Sequence, residues 1–172
     1  MGSPTVHIIE AASPEELAAV SELFLEYALS LGWDLSSGGR MADEITSPPG
    51  PYAPPAGCLM LALVGGGVAG VLGLQPVPLD ARIEGVRAET AGELKRLYVR
   101  DAYRSRGIAR ALMERAEAEA RARGYDHLVL TTSEQMFPLA GPVYRVLGYG
   151  PTEPYRSDMG NFTGVRWLGK EL

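Results

Sequence analysis

One cysteine, two histidines and no long apolar run in 172 residues exclude several kinds of protein before any motif is read. A lone thiol, Cys58, closes no intrachain disulfide and cannot supply the paired thiolates of a structural zinc site. It stands at the mouth of the apolar run Leu59 to Val64 with nothing nearby that resembles an activating base, so it reads as a buried structural thiol and not as a covalent carrier. His7 and His127 lie far apart and outside any carboxylate pattern, which makes them structural or surface residues and leaves no metal site to expect. No stretch approaches the roughly 18 uninterrupted apolar residues of a membrane span, and the first residues lack the basic-then-apolar pattern of a signal peptide. The expectation is a cytoplasmic protein with no membrane partner. The chain also lacks a Gly-x-x-x-x-Gly-Lys-Ser/Thr phosphate loop. Gly65-Gly66-Gly67 falls between two apolar runs, as a hairpin turn does, and no helix follows it.

What is present has the composition of an ordinary soluble domain, 46% hydrophobic and 22% charged. The length suits one sizeable core and is short for two, so a single domain over residues 1–172 is expected. The net charge of −5 hides an asymmetry, because residues 1–94 sum to −9 and residues 95–172 to +4. The first half lacks the basic stripe that nucleic acid requires. The second half suits a highly anionic ligand, and the first a cationic one unless its acids only solvate helix faces.

Along the chain, Thr5 to Ala11 reads as a strand, and Ser13-Pro14-Glu15-Glu16 as a helix start with Ser as N-cap, Pro in the first turn and acids beside the dipole. Leu17, Val20, Leu23, Phe24, Tyr27 and Leu31 recur at helical spacing up to Gly32. Trp33 to Gly57 is irregular, with one helical turn near Met41 to Ile45 and five prolines around Tyr52; a loop of this length points to binding. Cys58 to Val64 and Val68 to Gln75 pair across the glycine turn, Pro76 to Ala88 is a second loop, and Ala91 to Val99 is the central strand. A helix from Gly107 to about Arg123 puts Ile108, Leu112, Ala116 and Ala120 on one face and stops at Gly124. Asp126 to Thr132 is a further strand and Leu139 to Leu147 a short helix. Tyr149 to Tyr155 and Phe162 to Leu168 are read as a closing strand pair.

The most informative stretch is Arg104-Ser105-Arg106-Gly107-Ile108-Ala109, between the strand Glu93-Leu94-Lys95-Arg96-Leu97-Tyr98-Val99 and an Ala/Leu-rich helix. Small residues at 107 and 109 let the backbone approach a ligand, and the first amides of the helix point outward at the positive end of its dipole. That is a cradle for a pyrophosphate. About 40 residues on, Tyr144-Arg145-Val146-Leu147-Gly148-Tyr149 forms a second block.

The two blocks, in this order and spacing, resemble the GNAT superfamily of N-acetyltransferases, the first its Arg-x-x-Gly-x-Ala motif and the second its Tyr-x-x-x-Gly-Phe/Tyr signature. The resemblance covers nearly the whole chain. It implies an α/β (α+β) fold, a central mixed and mostly antiparallel sheet flanked by helices, with two central strands splayed at the acetyl-CoA site. Arg104, Ser105, Arg106, Gly107, Ile108 and Ala109 would then hold the pyrophosphate of acetyl-CoA. Backbone groups of Leu97, Tyr98 and Val99 would hold its pantetheine and thioester carbonyl. Glu93, six residues before Val99, is the implied general base, with ordered water as the alternative, and Tyr144 the implied general acid for the leaving thiolate. Two departures stand out: Phe137 occupies the start of the last helix, where the family often has Asn, and Gly141-Pro142 interrupts that helix just before Tyr144. The implied activity is direct acetyl transfer in a ternary complex to a primary amine of a small molecule, in a monomer or homodimer. A protein N-terminus or lysine as acceptor, and a silent acyl-CoA-binding module, are the alternatives. Asp34, Asp43 and Glu44 beside the Tyr52 loop suggest a cationic acceptor.

Overall fold

The computed structural model describes residues 5–157 and 163–172. It runs β1 (Val6–Glu10), α1 (Pro14–Ser30), α2 (Arg40–Thr46), β2 (Cys58–Val64), β3 (Gly67–Pro76), β4 (Ala91–Val99), α3 (Ile108–Ala122), β5 (His127–Ser133), α4 (Phe137–Val146), β6 (Gly150–Pro151) and β7 (Val165–Glu171), with short 3-10 turns at Gly50–Tyr52, Ala88–Thr90 and Asp101–Tyr103. All seven strands join one sheet in the order β1-β2-β3-β4-β5-β7-β6. Only β4 and β5 run parallel; every other pair is antiparallel. The mixed, mostly antiparallel sheet flanked by helices is the arrangement expected.

Both faces of the sheet are covered, which is why β2 is a continuous apolar run and not an alternating one. Cys58, Met60, Ala62 and Val64 face a core shared with Ile108, Leu112, Met113, Ala116 and Ala120 of α3, whereas Leu59 and Leu61 face one built with Val20, Leu23, Phe24 and Ala28 of α1. Helix α1 begins as its sequence dictates. Ser13 Oγ accepts from the Glu16 amide at 3.2 Å, and the Glu16 carboxylate accepts from the Ser13 amide at 2.9 Å, a closed capping box.

Two irregularities in β4 create an opening in the sheet. Its parallel pairing with β5 ends at Leu94 opposite Leu130, although β4 continues for five residues and β5 for three, so the strands part beyond that point. On the other edge, Val71 pairs with Tyr98 but Gly73 with Lys95, so that Arg96 and Leu97 together oppose Leu72. This is a β-bulge, with Arg96 at φ 63°. A bulge shifts the alternation of side chains by one residue. Lys95 and Arg96 therefore both turn toward α1 and α2, while Leu97 packs on the α3 side.

The closing strands differ from their expected limits. Tyr149 to Tyr155 contributes only Gly150–Pro151 to the ladder, since Pro151 and Pro154 have no amide to donate, and Tyr155 instead buries its ring against Trp167 with centroids 4.9 Å apart. The last strand begins at Val165 and runs to Glu171, beyond the expected Leu168; Phe162, its expected start, lies outside the described residues.

Candidate active site

The segment expected to hold a pyrophosphate is built by two consecutive turns. The 3-10 turn at Asp101–Tyr103 leads into Ser105 at φ 60° and Gly107 at φ 76°, left-handed conformations of the kind found in anion-binding turns. Helix α3 makes its first backbone hydrogen bond from Ala111 to the Gly107 carbonyl at 3.0 Å. Among the described residues, no backbone hydrogen bond is donated by the six amides from Ser105 to Arg110. A Cβ added to Gly107 would meet no atom within 4 Å, so the space in front of it is open. Amides without a backbone partner at a helix N-terminus, with open space at Gly107, suit the oxygens of a pyrophosphate.

Arg104 supports the cradle from behind. Its Nε donates to the Val99 carbonyl at 3.0 Å and its Nη1 lies 2.8 Å from Asp101 Oδ1, which ties the end of β4 to the turn. Arg106 is exposed, its guanidinium 5.8 Å from the Tyr103 ring centroid. Ile108 is buried against the α3 core, so it can contribute to ligand binding only through its amide; Ala109 is partly exposed.

Where β4 and β5 part, a cavity of about 20 Å³ is lined by Lys95, Leu97, Met113, Thr131, Thr132 and Tyr144, among others. From Lys95 onward the backbone edge of β4 that faced β5 has no strand to pair with, and this edge carries the groups of Leu97 and Val99. Tyr98 projects the other way and meets the Tyr27 ring edge-on, with centroids 6.3 Å apart. Helix α4 runs unbroken from Phe137 to Val146, so Gly141-Pro142 does not displace Tyr144 from the cavity. Pro142 lacks only the amide that would have reached the carbonyl of Pro138. Gly141 leaves room for Phe137, whose ring carbons lie 2.9 Å from where a Cβ would sit. Phe137 itself packs beside two guanidiniums, 5.5 Å from Arg145 and 5.0 Å from Arg166. Burial raises the Tyr144 phenol above its ordinary value, the nearby Tyr27 adds to this, and a hydrogen bond with Thr132 opposes it. Its proton therefore stays in place through the neutral range.

Glu93 is fully buried and lines neither opening. Its Oε1 accepts from the Tyr155 hydroxyl at 3.0 Å and Arg156 Nη1 at 2.9 Å, and its Oε2 from Gln75 Nε2 at 2.8 Å and the same Nη1 at 2.7 Å. Burial alone would raise its carboxyl, but Lys95 and Arg156 beside it, with the hydrogen bonds of Arg156 and Gln75, hold it below the ordinary carboxylate value. Lys95, two residues further along the strand, lines both openings, its Nζ 3.7 Å from Glu93 Oε1.

On the opposite side from the α3 core lies a cleft of about 660 Å³, bounded by the 31–41 segment, Tyr27, the β4 bulge, the end of β5 and the start of β7. The first part of the long loop thus lines an opening, as its length suggested. Its proline-rich part does not. Tyr52 is 1% exposed, its ring fills the space a Gly73 side chain would occupy, and its hydroxyl donates to Glu44 Oε2 at 2.9 Å. The three acids expected to draw a cation are not gathered in this cleft. Glu44 is buried and taken by Arg96, with Nε at 2.8 Å and Nη2 at 3.1 Å; Asp43 is exposed and lies off the cleft; Asp34 alone lines it. Arg40, Lys95 and Arg96 line the same cleft, so the charge asymmetry between the halves of the chain does not carry over to this surface.

Lys95, Arg96, Tyr27 and Arg156 were not singled out from the sequence. A signal existed for the first: Glu93 and Lys95 are charges at alternating positions of a strand otherwise fit for the core. Among the described residues no group of His, Cys, Asp and Glu could hold a metal ion, and no helix is long and apolar enough to cross a membrane.

The family model described as acetyltransferase (GNAT) family matches residues 22–149. An uncharacterized N-acetyltransferase of Schizosaccharomyces pombe is 28% identical over 156 residues, spanning 90% of this chain and 89% of that one. An acetyltransferase of the GNAT family from Staphylococcus aureus Mu50 superposes with a TM-score of 0.72 at 18% identity, over 98% of this chain and 99% of the other. YncA from Salmonella typhimurium, solved with its cofactor acetyl-CoA, gives 0.69 at 17% identity, over 97% and 94%. The solved structures share the fold, and the family model covers both the cradle and the Tyr144 block. The chain belongs to the acetyltransferase (GNAT) family and is an acyltransferase that draws its acetyl group from acetyl-CoA.

Proposed function

We propose that the chain transfers the acetyl group directly to a primary amine of a small molecule held in the 660 Å³ cleft, within a ternary complex. The observation that carries this reading is the opening between β4 and β5. The cradle lies beyond the end of β4, the Tyr144 cavity sits in the gap, and Lys95 lines both that cavity and the acceptor cleft. Donor and acceptor sites thus meet at one point of the sheet.

In this reading the amides of Ser105 to Arg110 take the pyrophosphate, and the unpaired edge of β4 at Leu97 and Val99 takes the pantetheine and thioester carbonyl. The amine nitrogen attacks the carbonyl carbon. The new C–N bond forms, the C–S bond breaks, and the electron pair leaves on sulfur. Tyr144 supplies the proton that turns this thiolate into a thiol, and the proton lost by the amine passes to water in the open cleft, from which the phenol is restored. Glu93 takes a part different from that of a direct base: it holds Lys95 at the cleft floor. Cys58 is left out of the chemistry, because it is 1% exposed and burial pushes its thiol up to about 12.

Initial rates measured over a grid of acetyl-CoA and amine concentrations test the mechanism. Intersecting double-reciprocal lines are expected. Parallel lines, together with an acetylated protein isolated in the absence of amine, would replace direct transfer by a covalent carrier.

A further inference from the structure

The bulge in β4 places two cations side by side at the floor of the acceptor cleft, and they are held in different ways. Arg96 is fixed, paired through two hydrogen bonds with Glu44 and flanked by the Trp33 and Tyr27 rings, 5.5 and 6.0 Å from its guanidinium carbon. Lys95 is not. Its side chain is 7% exposed, yet among the described residues its ammonium donates no hydrogen bond; its ion-pair contact is Glu93 Oε1 at 3.7 Å, an oxygen that already accepts from Tyr155 and Arg156. An ammonium carries three donors, and these, on a residue that lines the cleft, are open to a ligand. Burial, with Arg96 and Arg156 nearby, pulls Lys95 down to about 8 against the pull of Glu93 and Glu44, a balance that an added negative charge would reverse. The only carboxylate among the described lining residues, Asp34, accepts from the Ser36 amide at 2.9 Å in its own turn.

We infer that Lys95, with Arg96 beside it, forms an anion subsite, and that the acceptor is an amine carrying a carboxylate on a short spacer, as an amino acid does. The inference rests on the proposed transfer to an amine in this cleft. The spacer is short because Lys95 also lines the cavity that holds Tyr144, so the subsite and the reacting centre adjoin.

The test is a panel of paired acceptors, each amino acid beside its decarboxylated amine and its carboxamide, with kcat/KM measured for wild type, Lys95→Gln and Lys95→Arg. For the wild type a preference of about ten- to a hundredfold for the carboxylate is expected, the scale of a charge-assisted hydrogen bond. Lys95→Gln should collapse that ratio whatever its effect on absolute rates, and Lys95→Arg should retain most of it. Acetyl-CoA affinity, measured by calorimetry on each variant, reports whether the donor site is intact. If Lys95→Gln does not fold, the wild-type panel and Lys95→Arg decide. Equal or better turnover of the decarboxylated amines, or a ratio unchanged in Lys95→Gln, overturns the anion subsite and leaves amine transfer standing. Release of no thiol with any amine overturns amine transfer itself, and the subsite with it.

Discussion

Gly107→Glu is expected to lose acetyl-CoA binding by at least about a hundredfold in Kd, near 3 kcal/mol, while the chain stays folded. Gly107 sits at φ 76° at the N-cap of α3, and a Cβ added there would meet no atom within 4 Å. The fold therefore feels only the left-handed backbone, about 1–2 kcal/mol for a residue with a Cβ. The ligand feels far more. A carboxylate would stand beside amides that have no backbone partner, adding bulk and like charge where the proposed pyrophosphate would bind. Gly107→Ala separates the two effects, since it brings the backbone strain without the charge, and should weaken binding much less. Calorimetry on both folded variants checks this. Unchanged affinity in Gly107→Glu would move the pyrophosphate away from this turn.

Tyr144→Phe is expected to lower kcat by about ten- to a thousandfold and to leave acetyl-CoA affinity nearly unchanged, as for an interaction made only as the thiolate departs. The substitution removes one oxygen from a side chain 5% exposed, and the ring keeps its packing 6.2 Å from Tyr149. Burial holds the phenol protonated, so no loss of rate with rising pH should trace to its ionisation below the ordinary tyrosine range. Single-turnover measurement, where chemistry sets the rate, is the appropriate readout. Undiminished turnover there would leave Tyr144 a packing residue.

How much of this was legible in the chain varies from element to element for physical reasons. Local signals were accurate: the Ser13 N-cap, the strand Ala91–Val99 and the turn into α3 depend on neighbours within a few residues. Phase and long-range pairing were not. Nothing at Arg96 marks a bulge, since the residue that takes φ 63° there is an arginine, and the bulge alone makes Lys95 and Arg96 neighbours on one face. The partners of Glu93 come from Gln75, Tyr155 and Arg156 on three separate segments, so its spacing from Val99 gave no sign that its oxygens were taken. Glu44 and Tyr52 looked like cleft residues because they lie in a long loop, yet their side chains meet under Arg96 and support the cleft from below. Summing charge over half the chain could not reveal this, because the cleft draws its charged residues from the 31–41 segment and from β4, across the boundary between the halves.

The central claim, that the opening between β4 and β5 is where acetyl-CoA meets an amine, is tested most directly by product stoichiometry. Purified protein is supplied with acetyl-CoA and one amine at a time, amino acids among them, and both free thiol and N-acetyl product are quantified. Thiol release that depends on the amine, one N-acetyl amine formed per thiol, and slower formation of both in Tyr144→Phe is the predicted result. Tight binding of acetyl-CoA with no acetylated product from any amine, or thiol release at the same rate with and without amine, would contradict it.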